Sequence, residues 1–114
     1  MTPQSRLHVP AHTSAALHGV QSVLRSRWPV EKFVVFGSVA RGEATASSDL
    51  DLLVVTSQPV SHRDRHAMSD LIFDINLQHG TSISIVVVDR AGWDTGLWSL
   101  LPIHAEIERD GVSL

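Results

Sequence analysis

The sequence pattern that best predicts the fold lies in residues 33–55, FVVFGSVARGEATASSDLDLLVV. The apolar run Phe33–Phe36 leads directly into Gly37 and Ser38, and a second apolar run, Leu50–Val55, follows later in the segment. Short apolar runs bounded by turn residues are typical of buried strands. The segment therefore predicts a strand, a Gly-Ser turn, one helical turn and a second strand.

Length and composition predict one domain. The chain has 114 residues, of which 43% are hydrophobic and 18% charged, so it can bury a single core and wholesale disorder is not expected. Residues 1–11 contain two prolines and few apolar side chains, which predicts a loose N-terminal arm. We expect residues 12–114 to form the folded domain.

Charge and residue usage exclude several classes of protein. The net charge of −3 carries no signature of polyanion binding, so we do not expect direct contact with nucleic acid. The absence of Cys excludes disulfides and thiolate metal sites. No apolar run approaches the roughly 18 residues of a membrane span, and the N-terminus lacks the apolar core of a signal peptide. These features predict a cytoplasmic protein that does not contact a membrane.

Helical periodicity and capping residues predict three longer helices. The predicted helices begin at Thr13 or Ser14, at Ser61 and at Pro102, and they end near Arg27, Gln78 and Gly111. Residues 83–88 predict a third strand, which we expect to be central in the sheet because nearly all of its residues are β-branched. The helix between the second and third strands predicts a parallel crossover.

Two aspartates mark the start of the second strand. Because strand side chains alternate between faces, Asp49 and Asp51 should point the same way with Cα atoms about 6.5–7 Å apart, while Leu50 and Leu52 face the core. Such a pair can hold one or two Mg²⁺ ions, since Mg²⁺ takes oxygen ligands and accepts triphosphate oxygens as the rest. The alternative is an acidic strand start that is merely exposed to water.

The Gly-Ser turn suits phosphate binding. Gly37 has no Cβ, so a phosphate can approach its backbone closely. Ser38 offers a hydroxyl at a helix start, where free N–H groups favour anions. Arg41 follows one turn later and can reach a phosphate. The alternatives are an ordinary turn and a solvated surface arginine.

Residues 37–42, GSVARG, and residues 48–54, SDLDLLV, together resemble the motif of the minimal nucleotidyltransferase family, within the DNA-polymerase-β-like nucleotidyltransferase superfamily. The resemblance implies an α/β fold, a small mixed sheet backed by helices as in the polymerase-β palm. It implies Mg²⁺-dependent transfer of a nucleoside monophosphate to a hydroxyl. It assigns the phosphates to the Gly-Ser pair and the metal to Asp49 and Asp51 as catalytic residues. Many minimal members act as antitoxins of HEPN-domain toxins, by AMP transfer or by direct binding.

This chain departs from the family at the third carboxylate, a metal ligand and candidate base on the next strand. The parallel crossover places Asp49 and Asp51 beside Ser82 and Ser84, and neither serine is acidic. Ser84 occupies the third-carboxylate position. Loss of that acid would weaken binding of a second metal and remove a candidate general base.

Other carboxylates are less well placed to replace it. Asp89 lies five residues beyond Ser84, about 16 Å away at the rise of a strand. Asp70 and Asp74 belong to the covering helix, where a solvated face is the simpler interpretation. If another residue does supply the third ligand, Asp74 is the first candidate, ahead of Asp89.

Two further pairs invite a functional interpretation. His62 and His66 are four residues apart on a helix and could share a zinc ion, but no third ligand is evident, so we favour a solvated basic turn. Trp93 and Trp98 could stack a base or anchor a partner, although burial on the sheet is the preferred interpretation. Any exposed part of residues 93–101 is the candidate partner anchor.

Three functional hypotheses follow. The first is an antitoxin enzyme that moves AMP from Mg-ATP to a hydroxyl of a HEPN-type toxin, as the intact motif favours. The second is a binding module that inhibits the toxin by contact with little or no transfer, as the missing acid favours. The third is adenylylation of a small molecule of the aminoglycoside type, but such enzymes carry a further substrate domain for which this chain has no length.

Overall fold

The computed structural model describes residues 2–3, 7–45 and 48–114. The described residues form the strands β1 (Thr2–Pro3), β2 (Val30–Phe36), β3 (Leu50–Thr56), β4 (Ile83–Asp89) and β5 (Val112–Ser113). They also form the helices α1 (Ala11–Arg27), α2 (Gly37–Ala40), α3 (His62–His79), α4 (Arg90–Asp94) and α5 (Pro102–Asp110), with a 3₁₀ helix over Leu97–Leu100.

The described strands form one mixed sheet in the order β1-β5-β2-β3-β4. β2 is antiparallel to β3 and to β5, whereas β3 and β4 are parallel and are joined by the crossover helix α3. The antiparallel pairing brings the end of β2 beside the beginning of β3, and the parallel pairing brings the beginning of β4 to the same end. The predicted mixed sheet and parallel crossover are both confirmed.

The prediction that the third strand is central is wrong, because β4 lies at the edge of the described sheet. Its apolar run has another cause, which is burial on both faces. Ile83 and Val87 pack into the cluster that contains Met68 of α3, and Val88 packs into the cluster that contains Trp93. An edge strand covered on two sides therefore has the sequence pattern of a central one.

The core consists of two layers separated by the sheet. On one face, α1 and α3 bury the side chains of Leu50, Leu52 and Val54. On the opposite face, Leu53 and Val55 pack with side chains of β2, α4 and α5. Because side chains alternate along a strand, Asp51 shares the second face with Leu53 and Val55. The carboxylate therefore lies on the side of the sheet that α5 covers.

The helix boundaries match the capping signals at two of three starts. The Ser61 hydroxyl accepts a hydrogen bond from the Asp64 N–H at 3.1 Å, and Pro102 is at the start of α5. The cap predicted at Thr13 or Ser14 is wrong. The N–H groups of both residues instead donate to the carbonyl of Pro10, so α1 begins at Ala11.

Gly111 follows α5 because of a close approach. Its φ of −63° suits any residue, but a Cβ there would lie 2.6 Å from Val34 Cγ1 and 2.5 Å from the Ile107 carbonyl oxygen. The end of α5 can therefore lie directly on β2 only if this position has no side chain.

The predicted N-terminal arm lies partly outside the described residues. Within it, Thr2–Pro3 pairs with β5, and Leu7 and Val9 pack on the core. Among the helices of the described residues, none combines the length and the hydropathy that a bilayer-spanning segment requires.

Candidate active site

The sheet pairing brings Gly37 and Asp51 into direct contact. Phe36 pairs with Asp51 across β2 and β3, and Gly37 follows with a φ of +76°. A Cβ at Gly37 would lie only 2.5 Å from Asp51 Oδ2. Glycine is therefore required at this position for two reasons, the positive φ of the backbone and the close approach of the Asp51 carboxylate.

The turn after Gly37 is closed by backbone hydrogen bonds. The Arg41 N–H donates to the Gly37 carbonyl at 3.2 Å and the Glu43 N–H donates to the Ser38 carbonyl at 2.9 Å, while Gly42 has a φ of +72°. The predicted single helical turn with Gly42 at its end is confirmed. Ser38 is half-buried at the first turn of α2, beside the residue that touches Asp51.

Arg41 has a partner of its own. Its Nε atom lies 3.1 Å from Glu43 Oε2 in an exposed ion pair, and its side chain also lines the cavity that contains Asp51. Exposed ion pairs contribute about 0–1 kcal/mol, so the pair can open when a phosphate competes for the guanidinium. The geometry therefore allows the phosphate contact predicted for Arg41 and identifies Glu43 as its competitor.

The Asp51 carboxylate lies close enough to Asp49 to be affected by its charge. Partial burial, and then the negative charge of Asp49, raise the pKa of Asp51 above its usual range. A bound cation would relieve both effects. Mg²⁺ is commonly held by one or two carboxylates together with substrate phosphates, so this donor set fits the ion. In the described residues, no group of three or more His, Asp or Glu side chains is placed to hold a metal.

Ser84 occupies the position predicted for it. It pairs with Asp51 in the parallel register of β3 and β4, and its side chain is exposed. A hydroxyl therefore stands where the resemblance implies a carboxylate.

Three other carboxylates were considered, of which Asp70 is an exposed residue of α3 and Asp74 and Asp89 are the two better candidates. Asp89 pairs with Thr56 at the opposite end of β4, where it accepts a hydrogen bond from the Gly92 N–H at 3.3 Å and caps α4. Asp74 lies on α3, whose buried residues pack against the sheet face opposite to that of Asp51. Neither residue is therefore placed to complete the aspartate pair.

A cavity of about 210 Å³ opens beside Asp51, whereas Asp49 lines a different cavity with Ser82 and Ser84. One wall is formed by Phe36, Gly37, Arg41 and Asp51, and the facing wall by α5, through Ile103, Glu106, Ile107 and Asp110. This wall was not predicted from the sequence. The spacing of Glu106 and Asp110 on one helical face was visible, but nothing in the sequence showed that α5 runs toward this end of the sheet.

The two acidic residues of α5 that line the cavity differ in their surroundings. Asp110 accepts two hydrogen bonds from the Arg109 guanidinium, at 2.9 and 3.1 Å. Hydrogen bonding to Arg109 lowers the pKa of Asp110. Glu106 is exposed at the rim of the cavity, and its carboxylate accepts no hydrogen bond from another described residue.

The histidine pair and the tryptophans take no part in this cavity. His62 and His66 are exposed with their rings 5.3 Å apart. Trp93 is 1% exposed and donates from Nε1 to Glu108 at 3.0 Å, which confirms the predicted core role. Trp98 is half-buried with its ring 6.5 Å from that of Trp93. The exposed apolar side chains of this segment are Leu97, Leu100 and Leu101.

The fold is that of a nucleotidyltransferase domain. The sequence model of the nucleotidyltransferase domain family matches residues 18–109, and this chain belongs to that family. The matched range contains the Gly-Ser turn, both aspartates and α5 up to Arg109. The family expected from the motif is thereby confirmed.

Three relatives illustrate the similarity. A Methanocaldococcus jannaschii protein, provisionally named as a protein adenylyltransferase, is 36% identical over 72 residues, which are 61% of this chain and 48% of that protein. This chain thus spans about half the length of that relative. A solved structure provisionally named a minimal nucleotidyltransferase is 28% identical with a TM-score of 0.61, covering 94% of this chain and 98% of that one. A toxin–antitoxin crystallised with AMP-PNP is 15% identical with a TM-score of 0.58, covering 84% and 69%, which shows a shared fold.

Proposed function

We propose that this chain binds Mg-ATP between its Gly-Ser turn and its aspartate pair, and that it neutralises a HEPN-type toxin by transferring AMP to a toxin hydroxyl. The observation that carries the proposal is the contact between the bare Gly37 backbone and the Asp51 carboxylate. Phosphate and metal positions are adjacent in such an arrangement, as a metal-bound triphosphate requires. The name of the M. jannaschii relative supports AMP transfer to a protein, and the toxin–antitoxin neighbour supports the partner class.

Each residue of the site has a role in this proposal. The acceptor oxygen attacks the α-phosphorus while the bond to pyrophosphate breaks. The Gly37 backbone and the Ser38 hydroxyl hold the phosphates, and Arg41 exchanges Glu43 for the leaving pyrophosphate. Asp49 and Asp51 would hold Mg²⁺, which would supply positive charge to neutralise the phosphates. Catalysis then consists mainly of positioning and electrostatic stabilisation.

A second function is favoured by Ser84. Because a serine stands where the family's third acid is expected, the chain can retain nucleotide binding while transferring AMP slowly or not at all. Its antitoxin role would then rest on covering the toxin. The two functions differ in whether the toxin acquires a covalent AMP group.

Label transfer distinguishes the two functions. The chain is incubated with Mg²⁺, ATP radiolabelled at the α-phosphate, and a HEPN protein encoded beside it, and the toxin is then assayed for label and for toxicity. The proposal expects a labelled, inactive toxin with the wild type and no label with Asp49→Asn plus Asp51→Asn. Asp70→Asn, which removes one exposed carboxylate from α3, serves as the control and should label normally. An inactive toxin without label in any sample would favour the binding module.

A further inference from the structure

The structure raises the question of which group accepts the proton from the attacking hydroxyl. The β4 position beside Asp51 is Ser84, a hydroxyl that is not a base at neutral pH. Asp74 and Asp89 lie on the wrong face and at the wrong end of the sheet. The carboxylates that share a cavity with Asp51 come from α5 instead.

Of those two carboxylates, Glu106 is the available one. Asp110 accepts two hydrogen bonds from Arg109, and a carboxylate held in this way is a weaker base because its ionised form is stabilised. Glu106 lies one helical turn earlier on the same face, where the charge of Arg109 acts on it but no described residue donates a hydrogen bond to it. It is also exposed to solvent where it lines the cavity.

The cavity also has a suitable size and lining for an acceptor. Its volume of about 210 Å³ leaves room for a hydroxyl-bearing group between the two walls. Ile103 and Ile107 of α5, together with Phe36 of β2, supply an apolar surface around the carboxylates. An apolar surround limits the water that competes with the acceptor oxygen.

We propose that Glu106 is the general base of this chain, supplied by α5 in place of the acid that β4 lacks. The inference rests on the proposed nucleotidyl transfer. As the acceptor O–H bond breaks, the proton passes to a Glu106 carboxylate oxygen. The hydroxyl oxygen forms a bond to the α-phosphorus of ATP, and the bond between that phosphorus and the pyrophosphate oxygen breaks. Glu106 then returns the proton to solvent.

The test uses the whole chain with water as the acceptor. Release of AMP and pyrophosphate from Mg-ATP is measured for the wild type, Glu106→Gln and Asp74→Asn, and Mg-ATP affinity is measured by calorimetry in the same samples. Glu106→Gln should retain its affinity within about 2-fold and lose on the order of 100-fold or more in rate, the contribution typical of a general base. Asp74→Asn also removes one negative charge and should match the wild type.

Chemical rescue separates a base from a structural role. Formate should restore part of the rate to Glu106→Ala, because a small carboxylate can occupy the space left by the side chain, and it should not accelerate the wild type. Equal rates for Glu106→Gln and Asp74→Asn would overturn the inference, as would a wild type that binds Mg-ATP but releases no AMP. A wild type that binds no Mg-ATP would overturn the proposed function as well, and calorimetry identifies that case.

Discussion

The contact between Gly37 and Asp51 makes Gly37→Ala the most informative single substitution. Gly37 has a φ of +76°, and a side chain at such a backbone position costs about 1–3 kcal/mol. The new Cβ would also lie 2.5 Å from Asp51 Oδ2, so the carboxylate must retreat until ordinary contact, at 3.4 Å or more, is restored. Because that carboxylate is a proposed metal ligand, we expect Mg-ATP affinity to fall by about 10- to 100-fold, the loss typical when a residue that positions a metal ligand is changed.

Two other glycines serve as controls that separate backbone strain from displacement of the Asp51 carboxylate. Gly42 and Gly80 have φ values of +72° and +67°, and a Cβ at either would meet no atom of the described residues within 4 Å. Gly42→Ala and Gly80→Ala should therefore lose a similar free energy of unfolding in urea and bind Mg-ATP normally by calorimetry. If Gly37→Ala bound Mg-ATP as tightly as Gly42→Ala does, the role assigned to the Gly37–Asp51 contact would be refuted.

Three further predictions concern charge, the third acid and the core. The folded state raises the pKa of Asp51 above 3.8, so the ionised carboxylate lowers the free energy of unfolding as the pH rises through that raised pKa. Asp51→Asn should therefore increase the free energy of unfolding at pH 7 and increase it less near pH 4. Urea titrations at the two pH values measure this difference. Ser84→Asp should tighten Mg²⁺ binding and raise the rate of AMP release from Mg-ATP. Trp93→Ala should lower the free energy of unfolding in urea by about 3–5 kcal/mol, whereas Leu97→Ser and Leu100→Ser should each change it by under about 0.5 kcal/mol. Loss of toxin binding in the two leucine variants would support the predicted partner anchor.

The part of the fold that positions the site was predictable from sequence. Two apolar runs flanking Gly37 and Ser38 defined β2 and β3, and alternation along β3 placed Asp51 on the face opposite to Leu50 and Leu52. The helix after β3 was long enough to require a parallel crossover, which placed Ser84 beside Asp51. The strands and the crossover were predictable because each follows from a local sequence pattern or from a topological rule that most folds obey.

The other side of the site was not predictable. β5 has only two residues, Val112 and Ser113, which is too short for any periodic signal, yet its pairing with β2 fixes where α5 ends. Without that pairing, nothing connected Glu106 with Asp51. The edge position of β4 was also hidden, because burial on two faces produces the same apolar run as a central position.

We propose that Asp49 and Asp51 hold the metal of a bound nucleotide. Calorimetry of Mg-ATP binding tests it directly, comparing the wild type with Asp49→Asn plus Asp51→Asn and with Asp70→Asn plus Asp74→Asn, which removes the same charge from the exposed surface of α3. We predict Mg²⁺-dependent ATP binding in the wild type and the α3 variant, and none in the folded Asp49–Asp51 variant. Unchanged affinity for Mg-ATP in that variant would show that Asp49 and Asp51 do not hold the metal.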